Sequence, residues 1–262
     1  MTTAAMHIAR TGLDAQNTRM RVISNNLANV NTTGFKRDRA SFETLAYQTI
    51  TASGQPSSAE SRYANGLNLG TGVRIQGTAR IETQGSFQTT SNSLDMALDG
   101  DGYFQVNLPG GQLGYTRAGN FTRSPEGLLV TSEGYQVQPG ITIPEGASSI
   151  TVGADGTVSA TIPGQAEPAE LGQIQIATFP NAAGLQPNGY NYLTETMGSG
   201  PANIGVAGLD GRGRIRQGML EGSNVNVVEE LVDMIETQRA YEVNSKMISA
   251  TDEMLRYVNQ NL

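Results

Sequence analysis

Few side chains here have the types and spacing of a reactive site. There is one histidine, His7, and no cysteine. The chain therefore has no thiol nucleophile and no thiolate metal ligand, and a lone imidazole cannot furnish a zinc site or a nucleophile–base–acid triad. A solvent-facing or interfacial His7 is expected. Asp99-Gly100-Asp101-Gly102 spaces two carboxylates as a calcium loop does, but the bidentate Glu that closes such a loop does not follow, which leaves a tight turn. Gly211-Arg212-Gly213 starts like a dinucleotide loop, then departs from its glycine spacing and lacks a βαβ setting. A glycosidase pair could hide among the 24 acidic residues, but spacing singles out no two of them. The expectation is a chain with no catalytic residues, no metal and no cofactor.

The elements that would position any site fall into three blocks. All ten prolines lie between Pro56 and Pro201, and 31 of the 32 glycines lie between Gly34 and Gly222. Both residues break helices, so the ends are free to be helical and the middle is not. Near the start, Met6, Leu13, Met20 and Leu27 fall seven apart, with Ala9, Gln16, Ile23 and Val30 three residues on. Near the end, Val227, Met234, Tyr241, Ile248 and Leu255 fall seven apart. Sustained heptads mark helices that pack along a seam. One helix is expected from about Thr3 to Val30, stopped by Asn31-Thr32-Thr33-Gly34 with Gly34 left-handed. A second is expected from about Asn226, capped there with Glu229 three residues on, to about Gln260.

Charge favours pairing the two ends. Residues 1–47 carry six Lys or Arg against three Asp or Glu, and residues 221–262 carry three against eight. Opposite helices attract while like ones repel, although single surface pairs contribute only about 0–1 kcal/mol. The second helix has an uneven companion row: Leu231 is followed by Gln238, Ser245, Asp252 and Asn259. Two readings stand side by side for this polar stripe. It faces a wet lumen or groove, or it is the surface of a helix on one globular core.

Between the helices the pattern is β. Val73 to Ile75, Ala79 to Ile81, Tyr103 to Val106, Tyr135 to Val137 and Ile150 to Val152 carry alternating apolar residues. Turn signals separate them at Gly100 to Gly102, Pro109 to Gly111, Ser124 to Gly127 and Asp155-Gly156. The expected class is α+β, with paired coiled-coil-like terminal helices (residues 1–34 and 221–262). Residues 35–72 and 201–220 form a connecting region, and 73–200 an outer, mainly antiparallel β domain. Ser53 to Gly72 lacks periodicity and reads as an extended loop.

Bulk properties set the remaining bounds. A net charge of −7 argues against a general nucleic-acid binder. No apolar run reaches the roughly 20 residues of a membrane span. Met1 to Arg10 do not have the charge-then-apolar order of a cleavable signal, so any export is expected by another route.

Three segments resemble one family. Ser24-Asn25-Asn26-Leu27-Ala28-Asn29-Val30-Asn31-Thr32-Thr33-Gly34-Phe35-Lys36 is similar to the N-terminal motif of bacterial flagellar rod and hook axial proteins. Ser93 to Phe104 resembles the opening of their β domain, and Gly222 to Glu242, with Gln238-Arg239-Ala240-Tyr241, their C-terminal helix. Length and the segment Phe35 to Glu43, followed by Tyr47-Gln48-Thr49-Ile50, resemble the distal-rod members, with the proximal rod as the nearest competitor and the hook subunit typically longer. The resemblance implies a self-assembling structural subunit without catalysis. Its helices would form an inner tube around an export channel, in a helical homo-oligomer that meets other rod proteins, the hook, and the ring bushing of peptidoglycan and outer membrane. It also implies export, without signal cleavage, through the flagellar type III apparatus into the periplasmic basal body. Subunit contacts would then run through Met6, Leu13, Met20, Ile23, Leu27, Val30, Val227, Leu231, Met234, Tyr241, Ile248 and Leu255. Gln238, Ser245, Asp252 and Asn259 would be channel-facing, and the segment from Tyr47 through Ser53 and Asn65 to Gly72 would stiffen the rod. The alternatives are a cell-wall polysaccharide enzyme, separable by a turnover assay on peptidoglycan, and a non-flagellar fibre.

Overall fold

The computed structural model describes residues 2–56, 62–163 and 167–260. The chain divides into two compact units, one of residues 1–27, 38–79 and 226–262, the other of residues 28–37 and 80–225.

The first unit contains α1 (Thr2–Ala28), β1 (Asp38–Thr44), β2 (Gln48–Thr51), β3 (Leu67–Leu69), β4 (Val73–Arg80) and the long final helix α2 (Val227–Gln260). At 34 residues α2 is about 50 Å long. Asn226 caps it, its side-chain oxygen accepting the Val228 N–H at 3.1 Å. Glu229 and Glu230 lie in the first turn, where the helix dipole favours negative charge. The helices run antiparallel, since partners rise along one as they fall along the other. Asn26 donates to Glu230 at 3.2 Å, Arg19 pairs with Asp233 at 3.0 Å, and a Cβ on Gly12 would meet the Asn244 amide at 3.1 Å.

The buried positions trace the same seam. On α1 they are Ala9, Ala15, Ile23 and Asn26; on α2 they are Glu230, Thr237 and Thr251. Small residues allow close approach, and the buried hydroxyls of Thr237 and Thr251 bond back to the Asp233 and Met247 carbonyls at 2.6 and 2.7 Å. Asn26 is the corner of the unit. Its amide pairs with Asp38 as a strand would, accepting from the Asp38 N–H at 3.0 Å and donating to the Asp38 carbonyl at 2.9 Å.

β1 pairs with β4, and β2 with β3 in antiparallel register Gln48↔Leu69 and Thr51↔Leu67. The stretch expected as an extended loop therefore contains a strand and closes a hairpin. Three residues of β3 are too short a run for periodicity to register. Gly72 has φ +115°, and a Cβ there would fall 2.2 Å from the Thr11 hydroxyl, so only glycine lets β4 begin against α1.

The second unit is mainly β, with one 3-10 turn at Ala182–Gly184 among its described residues. It comprises β5 (Phe87–Thr89), β6 (Met96–Asp99), β7 (Tyr103–Asn107), β8 (Leu113–Thr116), β9 (Thr122–Arg123), β10 (Leu129–Val130), β11 (Ser149–Val152) and β12 (Thr157–Thr161). β13 (Ala169–Gln173), β14 (Gln175–Thr178), β15 (Gln186–Pro187), β16 (Leu193–Thr194), β17 (Asn203–Val206), β18 (Arg214–Gln217) and β19 (Met219–Glu221) complete it. The largest sheet has order β15-β16-β8-β7-β14-β17. Strand alternation gives it two packed faces. Phe104, Val106 and Ile176 enter the main core with Phe121, Val137, Ile174 and Ile215, while Tyr103 and Ala177 join Tyr115, Leu185 and Leu193 on the other side. The expected turns are present at Gly100–Gly102, Pro109–Gly111, Ser124–Gly127 and Asp155-Gly156, but Tyr135 to Val137 makes only isolated bridges.

Asn26→Ala tests the corner. It removes one bond to Glu230 and both bonds to Asp38, and it should destabilise the first unit by about 2–3 kcal/mol. The check is hydrogen exchange: protection along α1 and β1 should fall while β7 and β14 keep theirs.

Candidate functional site

The densest cluster of charge below the surface lies in the second unit. Gly34, at φ +67°, turns the chain after α1 as expected, and a Cβ there would sit 2.6 Å from the Arg117 carbonyl carbon. Its N–H donates to the Glu221 carbonyl at 2.7 Å. Two residues on, the Lys36 ammonium is 3 % exposed. It donates to Glu221 Oε1 at 2.6 Å and to the Thr83 carbonyl at 2.7 Å. Glu221, the last residue of β19, has no exposed surface. Its Oε1 also accepts the Gly85 N–H at 3.0 Å, and its Oε2 accepts Arg117 Nη1 at 3.3 Å. The Arg117 guanidinium lies 5.6 Å from the Tyr103 ring centre.

The environment moves these groups. Burial pulls the Lys36 ammonium below the usual lysine range, against the opposing attraction of Glu221. Because the unfolded chain holds that proton more tightly, this group's contribution to stability rises with pH between its folded value and the ordinary one. Burial, then the nearby Glu82 carboxylate, pushes the Tyr103 phenol upward, so it stays a donor. Tyr192, whose hydroxyl bonds Thr131 and Glu133 at 2.9 and 2.5 Å, is raised by burial first and Glu133 second. Beside the clamp, Asn224 accepts the Arg37 N–H at 2.7 Å and donates to the carbonyls of Ile81 and Thr83 at 2.8 and 3.1 Å. These side chains splice four stretches of chain; none is arranged as a nucleophile with a base.

The residues singled out in the sequence lie elsewhere. On α1, Ile23 is buried and Met6, Leu13, Met20 and Leu27 are half-buried, as is Val30 just beyond. On α2, Met234, Ile248 and Leu255 are half-buried while Val227, Leu231 and Tyr241 are exposed. Gln238 and Ser245 are exposed; Asp252 pairs with Arg256 at 2.9 Å; the Asn259 side chain lies outside the described residues. Tyr47, Ser53 and Asn65 are exposed on the β2–β3 hairpin, and Gly72 is buttressed by Thr11. His7 is exposed. Asp99 pairs with Arg216, and Arg212 is held by Asp210 and Asn203 at 3.0 and 2.8 Å. Among the described residues no group of three or more His, Cys, Asp or Glu could hold a metal, and no helix is long and apolar enough to cross a membrane.

Sequence reasoning missed Lys36, Arg117, Glu221 and Asn224 as the organising residues. Lys36 and Asn224 lie within motifs singled out in the sequence but carried no sign of their roles there, and Glu221 lies at the inner edge of the second terminal block, where an ion has no helix surface to decorate.

Three family profiles match: "Flagella basal body rod protein" over residues 6–36, "Flagellar hook protein FlgE/F/G D1 domain" over 97–160, and "Flagellar basal body rod FlgEFG protein C-terminal" over 216–261. Lys36 and Glu221 fall in the first and last of these. Flagellar basal-body rod protein FlgG of Buchnera aphidicola subsp. Acyrthosiphon pisum is 50% identical over 256 residues, covering 98% of both chains. Caulobacter vibrioides offers a comparison within one organism. Its FlgG is 45% identical, covering 98% of both chains, whereas its FlgF is 35% identical, covering 96% of both. The chain belongs to the FlgG family of flagellar basal-body rod proteins. FlgG proteins are structural rod components, not enzymes, and in such a subunit the buried ions serve to fix the join between the segments leading from α1 and into α2.

Glu221→Gln should lower the unfolding free energy of the second unit by about 3–5 kcal/mol, because Lys36 and Arg117 stay buried without their counter-ion. Lys36→Met should recover part of that loss in the Glu221→Gln background but not alone, a coupling that a double-mutant cycle in urea reads directly.

Proposed function

We propose that this FlgG-family chain is the repeating subunit of the distal rod, a tubular drive shaft that encloses the export channel and carries torque to the hook. The supporting observation is on α2. Its seam with α1 uses Glu230, Asp233, Thr237 and Asn244. Outside that seam, Val228, Val232, Ile235, Val243, Met247 and Met254 are each between 50 and 69% exposed, interspersed with Glu236, Arg239 and Lys246. Apolar side chains held outward on a helix in this number are suited to contacts with other chains. In the rod, neighbouring terminal helices supply that completion, and the coiled-coil-like contacts run through Met6, Leu13, Met20, Ile23, Leu27 and Val30 with Val227, Leu231, Met234, Tyr241, Ile248 and Leu255. Gln238, Ser245, Asp252 and Asn259 lie on the flank of α2 and line the channel. Residues 1–34 and 221–262 act as the tube-forming domain, 35–72 and 201–220 as the connection, and 73–200 as the outer domain. The subunit reaches the periplasmic basal body through the type III apparatus without signal cleavage, and there meets other rod proteins, the hook and the ring bushing.

Stiffness is assigned to the hairpin segment from Tyr47 to Gly72. It holds Tyr47, Ile50, Tyr63, Leu67 and Leu69 at 42–63% exposure, an apolar surface that would bridge adjacent copies and resist the sliding that bending requires.

Two experiments address these readings. Ile235→Asp alters an exposed position, so the isolated subunit should keep its unfolding midpoint to within about 0.5 kcal/mol while losing assembly and motility. Rods of normal length from this variant would remove the α2 face from the interface. Deleting Ser53 to Asn65 should give curved rods in electron micrographs of basal bodies; straight rods of normal rigidity would exclude the hairpin as the stiffening element.

A further inference from the structure

The free surface of α2 changes character at Gln238. Before it, Val228, Leu231, Val232 and Ile235 are 44–69% exposed. They stand at i, i+3, i+4 and i+7, which makes one stripe, and at about 100° per residue that stripe lies opposite the seam positions Glu230 and Thr237. Past Gln238 the same outer line is charged, with Arg239, Glu242, Lys246 and Glu253 exposed along it. The exposed apolar residues of this second half, Val243, Met247, Ala250 and Met254, fall about a quarter-turn further around the helix. α2 therefore carries two separate apolar patches that face different ways, their centres about 25 Å apart along its axis. Charge divides at the same point. Residues 227–237 hold four Asp or Glu and no Lys or Arg, whereas residues 238–257 hold three of each sign. Glu229 and Glu236 are exposed beside the first patch, and Arg239 and Lys246 beside the second.

We propose that the first patch of one copy seats on the second patch of another copy, a head-to-tail contact between α2 helices. This pairing rests on the chain being a repeating rod subunit, and it gives that assembly its direction. Joining first patch to first would bring two four-acid stretches together with no cation of α2 between them. Joining second to second would leave both first patches in water. First against second covers both kinds of stripe and sets Glu229 and Glu236 against a stretch that holds Arg239 and Lys246. Because the two patches differ and face different ways, the contact is heterologous: every added copy presents one unfilled patch of each kind at the two ends of the assembly, so it extends as a polar fibre instead of closing as a two-fold pair.

The test uses the full chain, which has no cysteine, so introduced thiols report without background. Ile235→Cys, Met247→Cys and the double variant are expressed in cells lacking the wild-type copy. Basal bodies are purified, oxidised with copper phenanthroline and run on denaturing gels without reductant. The double variant should give a ladder of dimers, trimers and higher species, because every copy is bridged at both patches, and each single variant should stay monomeric. The two positions are about 18 Å apart on one helix, so no disulfide can close within a chain. Val232→Cys with Val243→Cys reads the same two patches should the first pair disturb assembly. Dimers from Ile235→Cys alone, or rods of either double variant that stay monomeric on the gel, overturn the pairing and leave the rod-subunit reading standing. Wild-type basal bodies that contain none of this chain would remove that reading, and the pairing with it.

Discussion

Glu221 is a carboxylate without access to water, and the second unit is arranged around meeting its demands. Removing such an ion from solvent costs several kcal/mol even after relaxation. The cost is offset only if donors reach both oxygens, and they arrive from three separate stretches: the Lys36 ammonium, the Gly85 N–H and Arg117 Nη1. Burial, with repulsion from Arg117, lowers the Lys36 value against the pull of Glu221, and desolvation of a buried pair largely cancels its attraction. The ion pair is therefore a poor source of net stability and a strong source of uniqueness. A shift of β19 by one residue against β5 would turn Glu221 away from all three donors. The apolar core built on Phe104, Phe121, Ile174 and Ile176 supplies the driving force; the ions select which arrangement it stabilises.

The first unit follows a different rule. Its helices meet through alanine, glycine, threonine, asparagine and the Arg19–Asp233 ion pair, with Ile23 buried and Met234, Ile248 and Leu255 half-buried. Short side chains bring the backbones close, and Asn26 fixes the register by making bonds to Asp38 and Glu230 that no shifted pairing could copy. Val228, Val232, Ile235, Val243, Met247 and Met254 of α2 are left outward.

Much of this was legible in the residues. Confining proline and most glycine to the middle separated helical ends from a β body, and Gly34 and Asn226 marked the inner helix boundaries, to within two residues at Ala28 and one at Val227. Alternation located β7 and β11. What escaped were features without period. A three-residue strand such as β3 leaves no pattern, and partners such as Lys36 and Glu221, 185 positions apart, leave no local trace. The heptads picked out apolar rows but gave no sign of Thr237 or Asn244 in the seam, because both look like surface residues until their partners are known. In the candidate site, Arg117 had no signal at all: one arginine in a turn-rich stretch reads as solvated.

The 185-residue separation of Lys36 and Glu221 also bears on timing. Ribosomes deliver a chain from its amino end, so Lys36 and Arg117 emerge long before the carboxylate that neutralises them. Until β19 has been made, the β body lacks both its last pairing partner for β5 and the counter-ion for two cations that it would have to bury. Closing so long a loop is slow as well as late. The β body is thus kept from locking prematurely, by an acid placed 185 positions after its first partner.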